Sequence, residues 1–436
     1  MRILLLAGAV AAAAPLVFAA SPVTAQTQPA AKVDSRAVIE AVRKALRENY
    51  VIKERRPALD AALAKGLASG RYAVTDPQEL STRINDDLAA VAHDKHLSIN
   101  FDPRVAAELA AGRQNDEVAD SAFWRALARR NNHGVSELKV LPGNVRMLRY
   151  DGFMWTGDES RATLDNAVAF LRGGDAIVID IRDNGGGSPE AVRRLTSYFV
   201  PAGAKLVTFH MRDEKPTVSV ADTEVPGGRI TGVPVYVLTS GRSASAAEEF
   251  ASHVKGFGFG TLVGETTAGA GYRNDSFTIP GGFALSVSVG RPELPDGSDW
   301  EAKGVAPKLA VARDLALDRA HQDALTRLAA KAQGPEKTEL EWSAALAGAR
   351  IEPVTPARPL DAYAGRYGLR TVKVESGALV YQREGNPKTA LVPLGADLFA
   401  LESDPRTRVR FVLVNGAVTG FVLERVDGTI IEVQKA

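Results

Sequence analysis

The 436-residue chain contains no cysteine. That excludes disulfide cross-links, a thiol nucleophile and thiolate metal ligands, so stability must come from packing. Neither sign of charge is in excess: 53 Lys and Arg stand against 52 Asp and Glu. With no basic block either, nucleic-acid binding has no electrostatic support. Beyond the N-terminus there is no long apolar run, so no membrane span is expected once that end is removed. The glycine run Gly185-Gly186-Gly187 is not closed by Gly-Lys-Ser/Thr, which rules out a phosphate-binding P-loop there.

What is present begins with a leader. Arg2 supplies a positive start, Ile3 to Ala20 is apolar, and Val23-Thr24-Ala25 is a small-residue cleavage pattern. Residues 1–25 therefore read as a secretory signal peptide, which makes the mature chain periplasmic or secreted. A membrane anchor is the alternative, because the apolar run approaches spanning length. The many alanines, Pro15 and the Ala25-Gln26 junction favour cleavage. The remaining residues, about 410 of 436, are too many for one core, and two or three domains are expected.

Residues 33–130 read as an N-terminal helical domain. Val38, Ile39, Val42 and Leu46 recur at helical spacing, residues 58–68 and 77–92 repeat the pattern, and 103–130 read as further helix. Asp76 before Pro77 is a helix-start signal. Over 131–334, apolar runs at 135–140, 144–150, 176–181, 204–210 and 233–238 alternate with amphipathic stretches at 157–172, 188–199 and 245–256. That alternation predicts an α/β core with a mainly parallel sheet. A helix at about 311–333 ends it. Pro335, Pro353, Pro356 and Pro359 mark 335–360 as a linker. Residues 361–436 show short alternating runs separated by turns such as Asn415-Gly416 and Asp427-Gly428, which predict hairpins in a small antiparallel β-barrel or sandwich, an accessory domain.

Two strand-to-helix turns carry the chemistry. One is Asp180-Ile181-Arg182-Asp183-Asn184-Gly185-Gly186-Gly187. The other is Thr239-Ser240-Gly241-Arg242-Ser243-Ala244-Ser245-Ala246-Ala247-Glu248. An exposed hydroxyl at one turn and unpaired N–H groups at the other can make a nucleophile and an oxyanion hole. Ser243 and Ser245 both qualify, and a serine at a helix start is also an ordinary N-cap; the residues alone leave that open.

Taken together, the two segments resemble the tail-specific, or carboxyl-terminal-processing, serine peptidases (peptidase family S41). Within them the chain is most similar to the branch of the interphotoreceptor retinoid-binding protein modules and the tricorn core. The Asp-x-Arg-x-Asn-x-Gly-Gly signature fits Asp180, Arg182, Asn184, Gly186 and Gly187. The resemblance covers about residues 33 to 330. It implies a crotonase/ClpP-like spiral β-β-α core behind the N-terminal helical bundle, without the PDZ-like insert many relatives carry. In that family the nucleophile lies three residues before the glutamate, which implies Ser245. The usual lysine partner lies in Gly-Glu-Pro-Thr-x-Gly-Lys-Gly. Here the segment is Gly264-Glu265-Thr266-Thr267-Ala268-Gly269-Ala270-Gly271, and Ala270 stands in the lysine position. The tricorn-like branch uses a histidine in an Asp-x-His pattern, matched by Asp94-Lys95-His96, and a glutamate matched by Glu301 in Trp300-Glu301-Ala302-Lys303-Gly304-Val305-Ala306-Pro307. Lys95 occupies the place of that branch's relaying hydroxyl.

The resemblance thus implies an exported serine endopeptidase acting on unfolded or C-terminal protein segments. Ser245 is the nucleophile and His96 the base, supported by Glu301. The N–H groups of Ala246 and of Gly185 or Gly186 form the oxyanion hole. Polypeptides are the partners, no metal or organic cofactor is implied, and a homo-oligomer stays open. The alternative on the same scaffold is a non-catalytic protein that binds lipophilic ligands or peptides. Glu301 as a solvated loop acid, and Glu248 and Glu249 as carboxylates favouring a helix dipole, are the plainer readings of those residues.

Overall fold

The structure, a computed structural model, describes residues 33–111, 122–212 and 215–436. The signal-peptide expectation for 1–25 and the middle of the helix expected across 103–130 lie outside the described residues.

The N-terminal helices are α1 (Ser35–Asn49), α2 (Arg56–Ala68) and α3 (Pro77–Ala92). Asp34 caps α1 by accepting the Ala37 N–H at 3.0 Å, and Asp76 caps α3 through Gln78 at 3.0 Å. Their stripes of Val38, Ile39, Val42, Leu46, Leu59, Leu63, Leu80, Ile84 and Leu88 are buried. These stripes close on Ile99 of β1 (Ser98–Phe101) and on Phe283, Leu285 and Val287 from the far end of the core, so the bundle and the core share one hydrophobic cluster. Helices α4 (Pro103–Ala110) and α5 (Ala122–Arg130) follow.

The core runs β2 (Val135–Leu141), β3 (Val145–Tyr150), α6 (Asp158–Leu171), β4 (Ala176–Asp180), α7 (Pro189–Ser197), β5 (Lys205–Met211), β6 (Thr217–Val220), β7 (Val235–Thr239), α8 (Ala246–Phe257), β8 (Thr261–Gly264), β9 (Arg273–Ile279), β10 (Phe283–Glu293), β11 (Leu309–Ala310) and α9 (Ala316–Ala329). One sheet has the order β11-β8-β7-β4-β3-β2, parallel throughout except for the β2–β3 pair. Strands β4 and β7 are buried at every position, because helices cover both faces. Ile177 and Ile179 of β4 pack on α6, α7 and α8. Their alternates Ala176 and Val178 face Ala316, Ala320 and Ala324 of α9. A central strand therefore runs apolar on both faces, as in Ala176-Ile177-Val178-Ile179, and turns polar only at its last residue, Asp180 in β4 and Thr239 in β7, beside the two turns.

The second sheet, β1-β10-β5-β6 with β9 also paired to β10, is antiparallel. Strand β5 was expected within the parallel alternation and lies here instead. Its partner is β10, with Met211 opposite Gly290 and Phe209 opposite Pro292; that pairing is non-local, and local periodicity cannot report it.

The expected linker at 335–360 is a second correction. Residues Gly334–Ile351 form a helix, α10, with Pro335 in its first turn, where a missing N–H costs nothing. Leu340 and Ala344 bury against Leu325 and Ala329 of α9. Strands β12 (Gly365–Tyr367), β13 (Arg370–Glu375), β14 (Ala378–Arg383), β15 (Thr389–Gly395), β16 (Leu398–Leu401), β17 (Asp404–Val414), β18 (Ala417–Arg425) and β19 (Ile430–Gln434) then form an antiparallel meander in chain order. The Ala436 N–H donates to the Arg366 carbonyl at 2.8 Å, which nearly closes a barrel. Rings fill its interior: Tyr363 lies 4.8 Å from Phe411 and Tyr367 4.8 Å from Phe421. The barrel docks on α10, where the Arg408 guanidinium covers Trp342 at 4.4 Å and Arg350 pairs with Glu402 at 3.0 Å.

Candidate active site

Strands β4 and β7 are parallel neighbours, so the turns that follow them emerge side by side. They are also stitched together. The Ser240 hydroxyl donates to the Arg182 carbonyl at 2.6 Å and the Ala244 N–H to the Asn184 carbonyl at 3.1 Å. Ser243 is fully buried; its hydroxyl donates to the Ile181 carbonyl at 2.8 Å and accepts the Ser240 N–H at 3.1 Å. Both capacities of that hydroxyl are occupied by the scaffold.

Ser245 differs. It is partly exposed, it is the N-cap of α8, and its backbone lies at φ 54°, ψ −119°. A non-glycine residue there stores roughly 1–3 kcal/mol, which the surroundings must enforce. A sharp strand-to-helix turn of this kind lifts a serine hydroxyl off the sheet, as in a nucleophile elbow. The glycine turn comes up against it. A Cβ on Gly186 would lie 2.8 Å from Ser245 Cβ, and one on Gly187 would lie 2.3 Å from the Phe153 carbonyl oxygen, both at positive φ. Asn184, fully buried, holds the turn by donating to the Tyr150 carbonyl at 2.8 Å and accepting the Gly186 N–H at 2.9 Å. Arg182 grips Asp180 with two bonds of 2.9 and 2.6 Å.

The residue that joins the parts is Glu248, which sequence reasoning left as a helix-dipole carboxylate. It is fully buried. Its carboxylate accepts the N–H of Ser245 (3.0 Å), Gly269 (2.5 Å) and Ala270 (2.7 Å) and the hydroxyl of Thr267 (2.6 Å). The loop that would bear the family's lysine is thereby tied to the serine turn. The signal in the sequence was its place three residues after Ser245, the far half of a capping box.

His96 reaches this loop from the helical domain. It is half-buried, its N–H donates to Asp94 Oδ1 at 2.9 Å, and its carbonyl accepts the Ser286 hydroxyl at 2.6 Å. The Lys95 ammonium donates to the Ala268 carbonyl. His93 is exposed and ends α3 in a left-handed conformation. The His96 Nδ1 is buried without a hydrogen-bond partner. Burial holds its pKa below the ordinary histidine value, opposed by the charges of Asp94 and Glu248. Glu301 is buried and accepts the N–H groups of Gly271 (2.6 Å) and Tyr272 (3.1 Å). Burial first, then the nearby Asp94 and Glu248, push its carboxyl up to about 7, against those two hydrogen bonds. Ser245 is thus bonded to Glu248, and the charge of Glu248 also acts on His96 and Glu301. Among the described residues no hydrogen bond yet links the His96 ring to Ser245 or Glu301, and no cluster of His, Asp and Glu could hold a metal.

Residues 144–311 match the model of peptidase family S41, and residues 24–123 match that of the N-terminal domain of the family in eukaryotic IRBP. The chloroplastic carboxyl-terminal-processing peptidase 2 of Arabidopsis thaliana is 30% identical over 178 residues, 39% of this chain and 34% of that protein. The carboxyl-terminal-processing protease of Picosynechococcus is 29% identical over 136 residues, 31% and 32% of the two chains. The chain therefore spans about a third of the length of the curated relatives it matches. Among solved structures, a photosystem II D1 C-terminal processing protease superposes with a TM-score of 0.42 at 18% identity, covering 65% of this chain and 94% of that one. The tricorn protease gives 0.38 at 10%, covering 64% and 34%.

Proposed function

Since the chain belongs to peptidase family S41, we propose that it is an exported serine endopeptidase that cleaves unfolded or C-terminal segments of polypeptides. The observation that carries this reading is Ser245: a partly exposed serine in a strained turn, pressed against a glycine loop. Strain of this kind persists where the surroundings hold a residue for a task, and here it presents a hydroxyl beside a glycine turn.

In the proposed reaction Ser245 Oγ attacks the scissile carbonyl while His96 takes its proton. A base must be neutral before the step, and burial keeps the imidazole so. The imidazolium that forms is then stabilised by the carboxylates of Asp94 and Glu248 and by Glu301 as it ionises. The tetrahedral oxygen takes the N–H groups of Ala246 and of Gly185 or Gly186. The Gly186 N–H presently serves Asn184, but an oxyanion is a stronger acceptor than a neutral amide and would compete for it. His96 returns the proton to the leaving amine; it then takes a proton from water as the water oxygen attacks the acyl carbon, and passes it to Ser245 Oγ as the ester bond breaks. A hydrogen bond between His96 and Ser245 that forms only with substrate bound is ordinary for such sites.

Export rests on the leader in residues 1–25. Among the described residues no helix is long and apolar enough to cross a membrane. The test is labelling by a fluorophosphonate probe together with casein hydrolysis. Wild type should take the label and digest casein, and Ser245→Ala should do neither; a wild type that takes no label and cleaves nothing would overturn the proposal.

A further inference from the structure

His96 sits in the irregular segment between α3 and β1. The antiparallel ladder of β1 on β10 begins at Ser98, opposite Ser286. Main-chain pairing therefore stops two residues short of His96. Further along β10, the Ser288 carbonyl accepts the Val51 N–H at 2.8 Å, from the chain leaving α1. The Asp94 carboxylate that accepts the His96 N–H belongs to the same turn and moves with it. Among the described residues, the one hydrogen-bond partner of His96 outside that turn is the Ser286 side chain, whose hydroxyl donates to the His96 carbonyl at 2.6 Å.

That hydroxyl is itself set. A serine hydroxyl has one proton to donate. The Asn274 amide, from β9, donates to Ser286 Oγ at 2.7 Å, which occupies an acceptor lone pair and leaves the proton for His96. Leu285 and Val287 enter the cluster shared with the helical bundle, and alternation along the strand turns Ser286 to the opposite face. One residue before His96, the Lys95 ammonium bonds the Ala268 carbonyl, and the Ala268 N–H donates to the Ser243 carbonyl at 2.9 Å. The turn that bears the base is thus fastened to the core at two places, one on the loop bonded to the nucleophile turn and one on β10.

We propose that Ser286, set by Asn274, is a positioning residue of the peptidase: it fixes the main chain at His96 and so determines where the imidazole stands relative to Ser245. The inference rests on the peptidase reading and names how its base is held. Ser286 takes no proton from the nucleophile and has no part in the chemistry beyond geometry. Geometry matters here because base and nucleophile come from distant stretches of chain, and a displacement of about 1 Å can cost roughly 100-fold in rate. Stability rests instead on the packing of Ile99, Phe283, Leu285 and Val287 against the bundle.

The test compares Ser286→Ala, Ser286→Thr and Asn274→Ala with wild type on one peptide substrate. Ser286→Ala should lose roughly 10- to 100-fold in kcat, with KM unchanged within about twofold. Its melting temperature should stay within about 4 °C of wild type. Ser286→Thr keeps the hydroxyl on a side chain that suits a strand and should restore the rate, and Asn274→Ala should fall between the two. A second readout needs no turnover. In the Ser245→Ala background the His96 Cε1–H proton, assigned by its loss in His96→Ala, should give one narrow NMR resonance with serine or threonine at 286. With Ser286→Ala it should broaden or split. A Ser286→Ala enzyme with wild-type kcat and a narrow His96 resonance overturns the proposal. So does a loss of rate that tracks a lowered melting temperature and that threonine does not restore, since Ser286 would then only hold the fold. If wild-type Ser245 takes no fluorophosphonate label, the peptidase reading falls, and the ring resonance alone decides whether Ser286 holds His96.

Discussion

Glu248 follows Ser245 by three residues and accepts its N–H at 3.0 Å, while the other donors to the same carboxylate come from the loop of Thr267, Gly269 and Ala270. One buried side chain thus ties the Ser245 turn to the loop of Thr267 to Ala270. Glu248→Ala leaves three N–H groups and a hydroxyl without their acceptor. The cost should be on the order of 3 kcal/mol or more. A fall in melting temperature and a loss of at least a hundredfold in casein hydrolysis are expected; a variant with unchanged melting and rate would remove Glu248 from the site.

The two serines separate stability from chemistry. Ser243→Ala deletes a hydroxyl that makes two buried hydrogen bonds, at a cost of about 1–3 kcal/mol. Below its lowered melting temperature the enzyme should keep most of its activity. Ser245→Ala should lose no more than the roughly 0.5–2 kcal/mol of its helix cap and hydrolyse nothing. Calorimetry and casein digestion on the pair decide it, and a dead Ser243→Ala enzyme with a normal melt would mean the wrong serine has been assigned.

Much of this site was legible because its determinants are local. The buried run Ile177 to Asp180, small residues and a glutamate at fixed spacing spell out a strand, a tight turn and a capped helix. Asn415-Gly416 and Asp427-Gly428 likewise announced the hairpins of the barrel. What stayed hidden depends on partners far along the chain. Strand β10 contains Gly290 and Pro292, which argue against a strand, yet β5 and β9 hold it in place. Pro335 read as a break and is a helix start, because α9 supplies the surface on which α10 folds. Glu248 looked like a dipole carboxylate until the loop around Ala270 folded back onto it.

Glu249 gives the fold a pH dependence of its own. It is fully buried, its Oε1 has no partner, and burial, reinforced by Glu190, pushes its carboxyl up to about 8. A folded-state pKa above the unfolded value means that stability is complete below about 4.5 and is lost as pH rises through about 8. Glu249→Gln cannot ionise and should escape that loss. Its advantage in melting temperature over wild type should widen from pH 4.5 to 8 and then level off, amounting to a few kcal/mol at most. Parallel melting curves across that range would show that Glu249 does not titrate in the folded chain.

The pH profile of hydrolysis identifies the base. His96 must be neutral to accept the Ser245 proton, and burial lowers its pKa. The acid limb it imposes on kcat/KM should therefore lie below the ordinary histidine value of about 6.5. Glu301 titrates near 7, and its ionised form would favour the imidazolium, so wild type should begin to lose rate near 7 and fall again below 6.5. Glu301→Gln should remove the first loss and keep the second. His96→Ala should lose roughly 10²- to 10⁴-fold in rate together with the lower limb. A near-normal rate and an unchanged acid limb in His96→Ala would exclude the histidine. The base would then have to be sought at Lys95, whose ammonium already reaches the Ala268 carbonyl in the loop that lacks the lysine.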